Sequence, residues 1–77
     1  MREEYKVYYQ KIGGLIKDYR RAAKLTQAQL AESIGKSTTF ISHLEAPGVC
    51  KTPSLDTLID ISKALCVPLD HLTRVDG

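Results

Sequence analysis

Apolar residues recur at three- and four-residue steps along most of the chain and nowhere alternate in the two-residue rhythm of a half-buried strand. Tyr5, Tyr8, Tyr9 and Ile12 begin such a series, and Ile16, Tyr19 and Ala23 continue it. Lys17, Arg20, Arg21 and Lys24 fall mostly on other faces. This spacing predicts a first helix reaching back into residues 1–11. Gly13 and Gly14 sit inside it, each costing a helix roughly 1 kcal/mol relative to alanine. Thr26 is a good N-cap with Gln29 three residues on, the capping-box arrangement, so a second helix is expected from Gln27 with Ala28, Leu30, Ala31 and Ile34 as its apolar positions. Gly35 stands where that helix must end, at a position that favours a left-handed backbone. Ser37 can cap a third helix in which Ile41 and Leu44 face inward, leaving Thr38, Thr39, Ser42 and His43 outward.

The remainder is also helical in pattern. Pro47 stops the third helix and Gly48 turns the chain. Ser54 caps a fourth helix with Asp56 in its first turn, and Leu55, Leu58, Ile59, Ser62 and Leu65 are expected to face the core. Pro68 suits the first position of a short fifth helix packed through Leu69 and Leu72. Cys66, at the end of the fourth helix, must either take a left-handed conformation or change how that helix ends. The expected fold is all-α, five helices in one small bundle, with residues 74–77 frayed.

Seventy-seven residues bury only about 60% of their unfolded surface, enough for a single core. No apolar run approaches the roughly 20 residues that span a bilayer, and MREEYKVYYQ is too polar for a signal peptide, so a cytoplasmic protein is expected. The net charge of +2 is unevenly spread: residues 1–24 hold seven Lys and Arg against three acids, and the rest four against six. That is a modest basic signature, since nucleic-acid-binding domains often have a pI above about 9. Well-placed phosphate contacts can still suffice. Four tyrosines are many for so small a chain. The N-terminal ones pack on the domain's own side, form a contact between two copies, an environment that suits tyrosine, or belong to a frayed end.

Catalytic patterns are missing: there is no glycine-rich phosphate loop, no activated Ser or Cys beside a His, and no acid pairing for proton transfer. The chain is not expected to be an enzyme or to carry a cofactor. His43, Cys50, Cys66 and His71 lack zinc-finger spacing, so no metal site is expected. Two cysteines make no disulfide framework. Cys66 is expected at a helix end and Cys50 in a loop.

The segment TQAQLAESIGKSTTFISHLE, residues 26–45, resembles the helix-turn-helix of phage-repressor-like regulators, the Cro-like or XRE family. Gln27 opening the first motif helix, Ala31 at the crossing, Gly35 in the turn, Ile41 and Leu44 as anchors and Glu45 at the end carry the resemblance. Arg20 stands where the family places an arginine paired with that glutamate, and residues 53–72 resemble the closing pair of helices. The match covers about residues 12–73, beyond an extension at 1–11. It implies a lambda-repressor-like fold whose third helix, residues 37–45, enters the major groove of double-stranded DNA. One such helix per chain implies a homodimer on a short palindromic operator, with repression the expected effect, and neither a membrane nor a small-molecule substrate.

On that reading Gln27 holds a phosphate at a helix start, or is an ordinary exposed helix residue. Lys36 and Ser37 position the DNA backbone. Thr38 and Thr39 reach base edges, but threonine lacks the bidentate fork of Arg, Asn or Gln, so discrimination by these two alone is shallow. His43 reaches a base or phosphate, or is simply solvated. Phe40 packs at the core edge or offers its ring to the DNA. The loop after Glu45 departs from the family's usual helix end and is one residue longer, which leaves Lys51 and Thr52 as its candidates for backbone contact. The rival reading is a protein-docking module, such as an antitoxin-like partner, in which DNA recognition is secondary.

Overall fold

The computed structural model describes residues 2–48 and 51–75. A 3-10 turn at Glu3–Tyr5 runs directly into α1, Lys6–Ala22; α2 is Gln27–Ser33, α3 Thr38–Glu45, α4 Leu55–Leu65 and α5 Leu69–Leu72. The extension is therefore continuous with α1, and the glycine pair lies within the helix. The expectations for Cys50 and for residues 76 and 77 lie outside the described residues.

Each N-cap expected from the sequence forms. The Gln29 N–H donates to Thr26 Oγ1 at 3.0 Å while the Thr26 N–H donates to Gln29 Oε1 at 2.8 Å. Ser37 Oγ accepts from the Phe40 N–H at 3.0 Å, and Ser54 Oγ from the Thr57 N–H at 3.1 Å. Such caps satisfy backbone donors that the first helical turn leaves without partners.

The core gathers Ile12 and Ile16 of α1, Leu30 and Ala31 of α2, Ile41 and Leu44 of α3, Leu58, Ile61 and Leu65 of α4, and Leu72 of α5. Five of these side chains (Ile16, Leu30, Ile41, Ile61 and Leu72) are fully buried, one from every helix, so each helix is held by its own anchor. Gly13 explains how α1 and α3 come so close: a Cβ there would overlap the carbonyl oxygen of Leu44. Gly14 meets nothing within 4 Å. Only the first glycine of the pair is required.

Several sequence expectations shift. Leu55 is 62% exposed rather than inward. A helix turns about 100° per residue, and the buried face of α4 runs through Thr57, Leu58, Ile61, Ser62 and Leu65, which puts Leu55 at its edge in the first turn. Ala23 and Ala28 are likewise exposed, both at helix ends beyond the reach of the core. Pro68 is the N-cap of α5 with an extended backbone, and the first helical residue is Leu69.

Three helices end alike. The Leu25 N–H reaches Arg20 O and the Lys24 N–H reaches Arg21 O; Lys36 and Gly35 make the equivalent pair to Ala31 and Glu32, and Val67 and Cys66 to Ser62 and Lys63. This is the Schellman pattern, which needs a left-handed residue just past the helix. Lys24, Gly35 and Cys66 fill it with φ of 60°, 68° and 58°. Cys66 thus adopts the left-handed alternative, and only one of the three ends uses glycine.

Candidate nucleic-acid interface

Helix α3 divides sharply into two faces. Ile41, Leu44 and Glu45 are buried, while Thr38, Thr39 and His43 are exposed and Ser42 is half-buried. At about 100° per residue, Thr39 and His43 lie one turn apart on the middle of the outward face, with Ser42 and Thr38 to one side and Phe40 to the other.

An ion pair beneath this helix fixes its inner end. Arg20 donates from Nε to Glu45 Oε2 at 2.7 Å and from its terminal nitrogen to Oε1 at 2.9 Å, a two-pronged contact with both side chains buried. A third guanidinium bond, 2.7 Å, goes to the carbonyl oxygen of Leu25 and ties in the α1–α2 connection. The hydrogen bond to Glu45 raises the Arg20 pKa above its ordinary value, burial opposing it and the carboxylate's charge adding to it. A group with a raised pKa lends its stabilisation below its ordinary value and loses it only as the pH climbs past the folded one. The pair's arginine therefore stays charged throughout the neutral range.

Gln27 joins this network. Its Nε2 donates to Glu45 Oε1 at 3.1 Å. Because a carboxylate only accepts, that bond fixes which end of the amide points inward. Gln27 is half-buried, and beside the roles weighed from the sequence it couples the start of α2 to the end of α3. Among the described residues, no buried side-chain nitrogen or oxygen lacks a partner.

The other sequence candidates flank α3. Lys36 and Ser37 precede it and are exposed; Lys51 and Thr52 follow in the loop and are exposed as well. Phe40 is half-buried against the core, so its ring serves the core edge while one side remains open. The ammoniums of Lys36 and Lys51 lie 5.4 Å and 5.0 Å from its centroid, bringing the two flanks together. Sequence reasoning missed Gln10, whose Nε2 donates to the carbonyl oxygen of Pro47 at 3.0 Å and pins the start of this loop to α1. A polar residue on the same turn as the helix's tyrosines was the only hint of it.

Two short helices crossed at a glycine turn, the second anchored from below and polar above, define a helix-turn-helix domain. The helix-turn-helix family model matches residues 16–72, nearly three quarters of the chain. The chain belongs to the XRE-type helix-turn-helix family of DNA-binding transcriptional regulators.

Solved structures agree. SinR, described as the master regulator for biofilm formation and crystallised in complex with DNA, is 31% identical, with the match covering 79% of this chain and 95% of that one at a TM-score of 0.72. PlcR from Bacillus thuringiensis, in complex with the peptide PapR7 and DNA, is 36% identical over 86% of this chain at a TM-score of 0.74. The chain corresponds to only 22% of the length of PlcR. No curated protein matches the sequence. No helix among the described residues is long and apolar enough to cross a membrane.

Proposed function

We propose that the protein binds a short palindromic operator as a homodimer, with α3 of each copy in the major groove, and represses transcription from it. The observation that carries this reading is the exposed face of Thr39 and His43 on a helix whose opposite side is locked by Ile41, Leu44 and the Arg20–Glu45 pair. Thr38, Thr39 and His43 contact base edges. Lys36, Ser37, Lys51 and Thr52 contact phosphates, as do the first backbone N–H groups of α2 beside Gln27. A pair of half-sites roughly 34–36 Å apart supplies the contact area that one small helix lacks. The complexes of SinR and PlcR with DNA support the same use of the fold.

Titrating the protein against its own upstream DNA at several salt concentrations tests this. Specific binding should appear, weakening with salt at a log–log slope of about −0.9 per neutralised phosphate. Thr39→Ala and His43→Ala should each reduce the preference for that DNA over a scrambled duplex while leaving scrambled binding almost unchanged. Equal affinity for both duplexes in the wild type would favour the docking-module reading, for which Tyr5, Val7 and Tyr8 provide exposed apolar surface.

A further inference from the structure

We propose that Phe40 is a positioning residue that gathers Lys36 and Lys51 into a single phosphodiester-binding clamp, an inference that rests on the DNA-binding reading above. The two lysines belong to separate segments, one before the N-cap of α3 and the other in the loop after it. Their ammoniums nevertheless approach the same ring, at 5.4 Å and 5.0 Å from its centroid. They therefore lie within about 10 Å of each other, comparable to the Debye length at physiological salt, so each feels the other's repulsion. Among the described residues neither makes an ion pair.

What holds them together is the negative face of the aromatic ring, which attracts cations within about 6 Å. Phe40 is itself fixed: the ring is half-buried against the core, and its backbone N–H is held by Ser37 Oγ at 3.0 Å. Two flexible four-carbon stems are thus gathered around a rigid point before any ligand arrives. Converging positive charge at the edge of the helix that faces the groove suits the phosphodiester oxygens of a DNA strand. Phe40 therefore acts through the lysines. It sets affinity for the backbone and leaves base preference to Thr38, Thr39 and His43.

A double-mutant cycle tests this. Phe40→Leu keeps an apolar side chain at the core edge and removes the ring. Against a short scrambled duplex it should weaken binding about fivefold to thirtyfold, the size of two exposed cation–π contacts. The same substitution in a Lys36→Gln/Lys51→Gln background should change affinity by less than about 1.5-fold. That background alone should flatten the salt slope by about 1.8, for two phosphates. Phe40→Tyr, which keeps the ring, should restore the affinity that Phe40→Leu loses. In the free protein, the ε-methylene protons of Lys36 and Lys51 should be shifted upfield by the ring and lose that shift in Phe40→Leu. A loss that persists without the lysines, or Phe40→Leu binding as well as wild type, overturns the clamp and leaves the DNA reading intact. A wild type that binds no duplex removes the DNA reading and the clamp with it.

Discussion

Arg20, Glu45 and Gln27 act as one unit, and the reason is charge. A buried carboxylate is tolerable only when its lone pairs are filled, and Glu45 receives two bonds from Arg20 and one from Gln27. Removing either partner of the ion pair leaves the other buried and uncompensated. Arg20→Ala and Glu45→Ala should each cost about 3–5 kcal/mol, read as a large fall in the urea midpoint. A midpoint within error of wild type would contradict the role given to the pair. Gln27→Ala should cost less, about 1–2 kcal/mol, because Arg20 still faces Glu45. The pairing of residues 20 and 45 was legible in the sequence only through family resemblance. The role of Gln27 was not, since an amide at the start of a helix looks the same whether it faces solvent or a buried acid.

Among elements, the informative features are where helices end and where they touch. Gly35 announces its left-handed turn in the sequence, and Cys66 left two options open. Lys24 gave no signal at all, because nothing local separates a left-handed lysine from the last residue of a helix. A left-handed non-glycine residue costs roughly 1–2 kcal/mol, partly offset by the greater freedom of glycine in the unfolded chain. Lys24→Gly and Cys66→Gly should therefore each stabilise by about 0.5–1 kcal/mol, a rise in Tm of roughly 2–8 °C. A lower Tm in both would show that the left-handed backbone carries no strain here. The adjacent glycines of α1 make a sharper contrast. Gly14→Ala should gain up to about 1 kcal/mol from helix propensity. Gly13→Ala should lose about 1–3 kcal/mol, because the added methyl pushes α1 off the Leu44 carbonyl. In the sequence the two are indistinguishable, since the difference comes from a residue 31 positions away.

The whole molecule extends 31 × 24 × 20 Å, and its architecture follows from caps and periodicity that the sequence displays openly. Among the described residues, the order of the helices and nearly all of the core were readable because each helix carries an apolar stripe and α2 to α5 each follow a start signal. Leu55 misled because it lies at the edge of the buried face of α4, whose fully buried member is Ile61 and not the expected, half-buried Ile59. The site was readable as a set of exposed residues on and around α3. Its organisation was not, because the meeting of Lys36 and Lys51 over Phe40 and the tether from Gln10 to Pro47 depend on chain segments that only folding brings together.

In the proposed function, the face of α3 opposite the core is the surface that meets DNA. Its most direct test is amide chemical-shift mapping by NMR as the protein is titrated with its own upstream duplex. The largest changes should fall on residues 36–43, on 51 and 52, and on the first turn of α2. Changes centred on α4 and α5, or on the tyrosines at the start of α1, would contradict it.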